Sequence, residues 1–549
     1  MLDDIQELRA SITAQDEFED VDTYSWSEED DGTGVLLGGN MPLSYPEILA
    51  KFLPARQEVD RLVASYFRSK AIAAAHIHTG QFRRLYQSFW VDPLTVSPLW
   101  TSILFSILDI AKRTLTRQAV GAKSDTGESM LDSRLAYASA SCLAIGEYYK
   151  PKPFSVEALL LYAQRKSLTS YDVSQDLAVI FGLLVRCATA QGYHRDPSFS
   201  NKNFSPFDGE MRRRAWSLCM QMDLLISFQL GLPSNVQYPT WDTALPTNLL
   251  DSDFDEDTLE LPPARPETEH TEQLFYIAKH RIMAIFEKVL RHVLSNFDGP
   301  VGELEAIDAE LRRTYAALPA VYMPMTMTES VTDSPSLIVT RLCVDFLYQK
   351  CLCVLHRKHV IHGRIASIRS CHESSSDIVR RYLDCQKEFE PGGQLETEGW
   401  FMGSITWHDF LLGCVALSLT ICSIEFTPAA TVSSPPLFDL AESVKLIKRA
   451  QIICEEQSFK GGDTRKVRRV LEAVVMKFGA DQSTTVSSTL PPQDYDFGMG
   501  ADEYSETRTS APTSDAWTQA ENMRLTVEEA EWAYLGQFLD LSNEGEHFT

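Results

Sequence analysis

One segment constrains the fold of this chain more than any other: residues 210–234, with the sequence EMRRRAWSLCMQMDLLISFQLGLPS. Residues 210–230 predict a helix that is apolar on nearly every face, and such a helix is buried on most sides. The apolar positions are Trp216, Leu218, Cys219, Met220, Met222, Leu224, Leu225, Ile226, Phe228 and Leu230. Gly231 and Pro233 end the helix. The segment therefore predicts a large helical body that buries this helix.

The same helix carries polar residues that need partners. Arg212, Arg213 and Arg214 lie in its first turns, where the helix dipole favours acidic side chains, so we expect them to meet carboxylates elsewhere as bidentate donors. Asp223 lies about three turns beyond Arg212, too far for a direct pair within the helix. It needs a partner from another helix, or Ser227 one turn further on. We interpret these residues as buried polar clamps, in preference to a catalytic aspartate or a DNA-binding arm.

Helical patterns run along residues 45–480, and convincing strand alternation is absent, so the sequence predicts an all-α fold. Ser97-Pro98 and Ser205-Pro206 each place a capping hydroxyl before a proline at the first helical position. Gly192 suits the left-handed residue that follows a helix. Residues 232–268 are rich in proline and aspartate and predict a long loop between helices.

Charge divides the chain into a body and tails. The formal charge of the 549 residues is −26, with −11 in residues 1–31 and −12 in residues 481–549, which leaves −3 for the remainder. We predict an acidic disordered tail over residues 1–44 and a disordered linker over residues 481–524. A charge of this sign disfavours unaided binding to nucleic acid.

An acidic amphipathic segment occupies residues 525–549. Thr526 and Glu529 form a potential capping box. The four large apolar residues that share a face, set among acidic residues, are Trp532, Leu535, Phe538 and Leu539. Segments of this kind fold into grooves of partner proteins, as activation domains do, so we predict that these four bind a partner. The alternative is a terminal helix docked on the protein's own body.

Several patterns that suggest chemistry have simpler explanations. HRDPSFSN matches a kinase catalytic loop, and DFG occurs about three hundred residues later, but no Gly-rich loop or strand lysine accompanies them. A histidine face is favoured over a metal site for the cluster Cys351, Cys353, His356, His359 and His362. No GxSxG, HExxH or Walker pattern is present, so we predict neither enzymatic activity nor a cofactor. The apolar run 410–424 is too short to span a membrane, and the acidic start is not a secretory signal.

The opening segment resembles the signature of the fungal-specific transcription factor regulatory domain, the middle homology region of fungal zinc-cluster regulators. That family shows arginines, a tryptophan, an aspartate seven residues later, then serine and Gly-x-Pro. The matching residues here are Arg212, Arg213, Arg214, Trp216, Asp223, Ser227, Gly231 and Pro233. Further stretches, among them CATAQGYHRDPS and LPARQEVDRLVASYF, are similar to family segments in the same order, over residues 45–480. Ser217 and Leu224 depart from the family, which has a second tryptophan and an arginine there.

The resemblance implies a nuclear, non-enzymatic transcription regulator, associated with metabolic or secondary-metabolite gene clusters. Its implied partners are the transcription machinery, a second copy or a zinc-cluster regulator as dimer partner, and a small-molecule effector. Such regulators carry an N-terminal six-cysteine zinc cluster, whereas the first cysteine here is Cys142. We therefore expect DNA contact only indirectly or through a module missing from this polypeptide. The alternative is a cytoplasmic sensor, or a dimerisation partner, that does not bind DNA.

Overall fold

The computed structural model describes residues 32–39, 43–69, 75–120, 133–169, 175–199, 204–236, 240–295, 300, 302–399, 406–424, 436–457 and 462–479. Within these ranges every regular element is a helix, as the sequence predicts. The first nine α-helices are α1 (Thr33–Leu36), α2 (Tyr45–Phe52), α3 (Arg56–Arg68), α4 (Thr79–Val91), α5 (Pro98–Val120), α6 (Arg134–Gly146), α7 (Ser155–Thr169), α8 (Gln175–Ala190) and α9 (Pro206–Gln229). They are followed by α10 (Glu272–Val293), α11 (Glu303–Ala316), α12 (Pro335–Val360), α13 (Ile365–Cys385), α14 (Trp407–Ser423), α15 (Leu440–Glu456) and α16 (Gly462–Phe478).

Helix α9 joins two halves of the molecule. In the N-terminal half, α5 packs against α3, α6 and α7; in the C-terminal half, α12 packs against α10, α13 and α14. Helix α9 contacts α7 and α8 on one side and α10 on the other. Its Phe228 meets Phe286 of α10 edge-to-face, with ring centroids 5.1 Å apart. Because one continuous cluster of buried apolar side chains extends from Val35 to Val474, the halves share a core.

The caps around α9 explain where the helices begin and end. The Ser205 hydroxyl accepts a hydrogen bond from the backbone N–H of Asp208 at 3.0 Å, and Pro206 opens α9. Gly192 has a φ of 77°, and the N–H of Tyr193 reaches back to the carbonyl of Ala188 at 3.0 Å. That backbone conformation favours glycine and closes the end of α8. These caps were predicted from the sequence and are confirmed.

The folded body begins earlier than residue 45, where the sequence analysis places it. Helix α1 buries Val35 and Leu36, and the Tyr148 hydroxyl donates to the Leu36 carbonyl at 2.9 Å. Helix α1 could not be predicted from the sequence, because four residues are too few to show a helical period and the residues around them are acidic and rich in glycine. Residues 1–31 of the predicted tail 1–44, the predicted linker 481–524 and the segment 525–549 lie outside the described residues. Among the helices that are described, none is both long and apolar enough to cross a membrane.

Candidate functional site around helix α9

The three consecutive arginines of α9 hold three different segments of the chain, because successive residues of a helix point about 100° apart. Arg212 donates from Nη2 to the Gln191 carbonyl at 2.6 Å, at the end of α8. Its guanidinium also lies 3.9 Å from the ring centroid of Tyr193 and 4.6 Å from that of Phe204. The expectation of a carboxylate partner is therefore wrong for Arg212, since a carbonyl and two aromatic rings occupy its surroundings.

Arg213 binds Asp196 as a two-pronged donor. Its Nε and Nη2 donate to the two carboxylate oxygens of Asp196, each at 2.8 Å. Asp196 also accepts from the backbone N–H of Ala244 at 2.9 Å. The Arg213 guanidinium, with these further donors, holds the pKa of Asp196 well below its ordinary value. The HRDP turn thus connects α9 to the loop that follows α9, because Asp196 binds both Arg213 and the backbone of Ala244.

Arg214 is buried and holds the loop around residue 250. Its Nε donates to Glu210 at 3.1 Å, Nη1 to Asp251 at 2.7 Å and Nη2 to the Leu249 carbonyl at 3.0 Å. Glu210 is fully buried and accepts in addition from the backbone N–H of Thr247 at 3.1 Å. Burial raises the pKa of the Glu210 carboxyl, and the Arg214 charge acts against that rise. The sequence analysis missed Glu210, although its i,i+4 spacing to Arg214 was a usable signal.

Asp223 is satisfied by the loop directly after its own helix. Gly231, with a φ of 66°, reverses the chain, and the backbone N–H of Leu232 bonds the Ser227 carbonyl at 2.8 Å. The loop then returns along α9. The Asp223 carboxylate accepts bonds from the Ser234 hydroxyl at 2.7 Å, from the Asn235 backbone at 2.8 Å and side chain at 2.8 Å, and from the Val236 backbone at 3.3 Å.

The expectation that Asp223 pairs with another helix or with the Ser227 side chain is therefore wrong. The Gly-Leu-Pro turn, which includes Pro233, brings loop donors within reach of a residue buried two turns back on the helix. Burial raises the pKa of Asp223, while the hydrogen bonds from Asn235 and Ser234 oppose that rise. The loop 234–236 is consequently fixed to the middle of α9.

Asp223→Ala is expected to lower the free energy of unfolding by about 1–3 kcal/mol, because it removes a buried carboxylate that accepts hydrogen bonds from Ser234, Asn235 and Val236. Urea unfolding measures the loss, and hydrogen exchange should accelerate at residues 234–236. Asp377→Ala is the control, since the Asp377 side chain is 38% exposed and pairs with Arg380 one turn away. That change should cost no more than about 1 kcal/mol. Equal midpoints and unchanged exchange in the Asp223 variant would contradict this account of the loop.

Trp216 lies two turns before Asp223 on α9 and lines a cavity together with Asn235 and Val236 of the same loop. Its side chain is 3% exposed, and its ring centroid lies 6.3 Å from that of His194. His194 lines the same cavity, which has a volume of about 300 Å³. The tryptophan therefore belongs to the core, as predicted for this helix.

A second, larger cavity of about 610 Å³ lies between α9, α10, α11 and the loop that contains Trp241. Its inner wall contains a short series of polar side chains linked by hydrogen bonds. Gln221 donates from Nε2 to the Ser217 hydroxyl at 3.1 Å and to the Tyr276 carbonyl at 3.3 Å. The same hydroxyl lies 3.0 Å from Nδ1 of His280. Burial lowers the pKa of His280 to about 4, so this imidazole is uncharged at neutral pH.

The cysteine and histidine cluster of α12 is part of the packing. Cys351 and Cys353 are buried, and Cys353 contacts the Ser374 hydroxyl at 3.2 Å. His356 is held between Ser367 at 3.2 Å and Asp308 at 3.1 Å. In the part of the chain that the structure describes, no three histidine, cysteine or acidic side chains come together as a metal site would require. The four residues of the predicted partner-binding face, Trp532, Leu535, Phe538 and Leu539, lie outside that part.

Comparison with known proteins identifies related sequences. The sequence profile of the Fungal specific transcription factor domain matches residues 123–381, a range that includes α9, α10 and both cavities. The Zn(2)-C6 fungal-type transcription factor mpsB of Macrophomina phaseolina is 32% identical over 486 residues, which cover 86% of this chain and 65% of the relative. The Fusarisetin A cluster transcription factor fsa6 of Fusarium sp. is 33% identical over 84% of this chain and 63% of its own length. The Equisetin cluster transcription factor eqxF of Fusarium heterosporum is 31% identical over 88% of this chain and 71% of its own length. The chain thus spans less than two thirds of the length of the first two of these relatives.

Proposed function

Because the chain belongs to the fungal-specific transcription factor family, we propose that it regulates transcription of a secondary-metabolite gene cluster in the nucleus. The observation that carries the proposal is the alignment with relatives that are themselves named as cluster transcription factors. Two of them, for the fusarisetin A and equisetin clusters, align over 84% and 88% of this chain. The likeness therefore concerns most of the helical body and not one short motif.

The helical body would act as the regulatory part of such a protein. Its central helix α9 is tied to the end of α8 by Arg212, to the HRDP turn by Arg213 and to the loop around residue 250 by Arg214. These contacts join α9 to segments that lie 17 to 37 residues away along the chain. We infer that the body joined in this way holds a partner surface or dimerises with a second regulator, identical or related. We assign it no enzymatic role.

Contact with the transcription machinery would come from the acidic amphipathic segment 525–549. Support for this step is the sequence pattern alone: a capping box at Thr526 and Glu529, followed by four large apolar residues on one helical face. Aromatic residues dominate the energy of such groove contacts, so Trp532 and Phe538 are the proposed anchors. The surrounding acids would mainly steer the encounter and keep the segment in solution.

The proposal is tested in the fungus that carries the gene. Deletion of the gene is expected to lower transcripts of a contiguous set of neighbouring biosynthetic genes by at least about tenfold. The four-alanine variant of Trp532, Leu535, Phe538 and Leu539, expressed from the native locus, should reproduce that loss while the protein accumulates normally. A matched strain with alanine at Glu528, Glu529, Glu531 and Asp540 should lose less, because those acids are not the anchors. RNA sequencing and an immunoblot provide both readings.

Unchanged cluster transcripts after deletion would overturn the proposed function. A deletion phenotype with a fully active four-alanine strain would retain the regulator and refute the role of the terminal segment. Exclusion of a tagged parent chain from the nucleus, together with unchanged transcripts, would favour the cytoplasmic sensor.

A further inference from the structure

We propose that the cavity between α9, α10 and α11 binds a small, uncharged and largely apolar molecule that carries a hydrogen-bond donor next to an acceptor. This inference concerns binding and stands apart from the transcriptional role, so either can fail without the other. It rests on the size and lining of the cavity, on a buried polar pair in its wall and on the pairing of charges at its rim.

The cavity has the dimensions and the lining of a small-molecule site. Its volume of about 610 Å³ lies within the range of roughly 300–1,000 Å³ that such sites occupy. The larger apolar side chains that line it are Met220, Leu224, Val236, Trp241, Met283 and Ile307. Two of these are methionines, whose unbranched side chains adapt to the shape of an occupant. Such walls favour a ligand with an apolar body.

An acceptor in the wall has no partner. Gln221 is 1% exposed, and its amide N–H groups are used by the Ser217 hydroxyl and the Tyr276 carbonyl. Its Oε1 is buried and receives no hydrogen bond from any described residue. A buried acceptor without a partner costs stability, and a ligand N–H or O–H would remove that cost. The wall therefore selects a donor at this point.

A donor lies beside that acceptor. The Ser217 hydroxyl accepts from Gln221, and Nδ1 of His280 is the acceptor that lies within 3.0 Å of it among the described residues, so we assign the Ser217 proton to this bond. The uncharged imidazole then carries its proton on Nε2, which makes no hydrogen bond within the described residues. His280 lines the cavity, and Trp241 meets its ring edge-to-face with centroids 6.2 Å apart. The wall thus offers one donor and one acceptor, joined through one serine.

The rim explains why the ligand would be uncharged. Lys288 pairs with Glu310 at 2.7 Å, Arg291 with Glu287 at 2.5 Å and His292 with Glu303 at 2.7 Å. Each basic side chain at the entrance already has an acidic partner. An ionic ligand would meet charges that are already paired and would lose its hydration inside an apolar cavity.

The test compares two fluorescent probes with the same aromatic skeleton, applied to the full chain. Phenylnaphthylamine is uncharged and has one N–H, whereas anilinonaphthalene sulfonate adds a sulfonate group. We expect phenylnaphthylamine to saturate at one molecule per chain, and the sulfonate to bind at least tenfold more weakly. Gln221→Met keeps the side-chain length but removes the acceptor, and should weaken phenylnaphthylamine binding by about tenfold, as loss of one hydrogen bond implies.

A steric variant checks that the probe occupies this cavity. Ala284 is exposed on α10 and lines the cavity entrance, so Ala284→Trp should block the cavity and abolish saturable binding without removing a core side chain. Ala309 is exposed on the neighbouring α11 away from the lining, and Ala309→Trp should bind like the parent. Thermal melts confirm that both variants fold.

Equal binding of phenylnaphthylamine to the two tryptophan variants would overturn the proposal, as would equal affinity of the parent for both probes. If Ala284→Trp fails to fold, the ratio of the two probe affinities and the Gln221→Met titration decide the question. Equal probe affinities, or an unchanged titration, would then refute it.

Discussion

Arg214→Met is expected to lower the free energy of unfolding by about 3–5 kcal/mol, because it removes the only cation that the buried Glu210 contacts among the described residues. Methionine replaces the length of the arginine stem, so the loss reports the charge and hydrogen bonds more than the packing. The Leu249 carbonyl and Asp251 lose the arginine donor as well, although Asp251 keeps the backbone N–H of Thr79. The loop around residue 250 should therefore become susceptible to proteolysis. Urea unfolding and limited proteolysis measure the two effects.

The matched control is Arg291→Met. Arg291 also pairs with a glutamate one turn earlier on its helix, Glu287, but its side chain is 59% exposed. The same substitution at that exposed pair should cost no more than about 1 kcal/mol. Comparable losses in the two variants would contradict a special role for the buried pair. Glu210→Gln combined with Arg214→Met should recover part of the stability, because no buried charge is then left alone.

The loss of stability caused by Arg214→Met should also depend on pH. Burial already raises the pKa of Glu210, and loss of the Arg214 charge raises it further. The folded state then holds a proton that the unfolded state releases above its ordinary pKa, so stability falls as pH rises from the unfolded towards the folded pKa. The variant should accordingly lie closer to the parent near pH 5 than near pH 8. A deficit that is constant over this range would mean that Glu210 keeps a partner.

Trp216→Ala is expected to cost about 3–5 kcal/mol, since it removes a large, almost fully buried ring next to an existing cavity. The space left behind would join the cavity of about 300 Å³ that Trp216 already lines. The neighbouring side chains can therefore fill little of it by moving inward. Thermal and urea unfolding measure the loss. A parent-like melt would show that the ring is not part of the core.

Two further substitutions separate burial from chemistry at Trp216. Trp216→Phe should cost clearly less than the alanine variant, because the indole Nε1 makes no hydrogen bond within the described residues and most of the ring remains. Phe199→Ala removes an aromatic ring from a side chain that is 78% exposed, and should change stability by no more than about 0.5 kcal/mol. A large loss in that control would point to a general sensitivity of this region instead.

The parts of the fold that depend on local sequence could be predicted. The helical periodicity, the Ser-Pro starts of α5 and α9 and the glycine after α8 all act within a few residues. The burial of α9 follows from its composition alone, because a helix with apolar side chains on every face has no other stable environment in water. The sequence likewise predicts that Arg213 and Arg214 pair with carboxylates, although it does not identify which acidic residues these are.

The partners themselves depend on how the chain returns in space. Asp196 meets Arg213 from the preceding loop, and Asp251 meets Arg214 from the following one. The separations of these two pairs along the sequence do not indicate that the residues meet in the fold. Asp223 shows a different limit: its donors come from the adjacent turn, but only the left-handed conformation of Gly231 directs that turn back along the helix. The larger cavity was not predictable, because a void appears in no single segment.

The arginine run on α9 makes this segment far less tolerant of a change in length than of a change in residue. Each of Arg212, Arg213 and Arg214 faces a different neighbour. A single substitution therefore disturbs one joint and leaves two in place. An inserted or deleted residue directly after Arg214 would instead turn all three guanidinium groups by about 100° relative to the core that holds the rest of the helix. The Gln191 carbonyl, Asp196 and Asp251 would then lose their arginine donors in one step. The length of this segment is therefore constrained as well as its residue types.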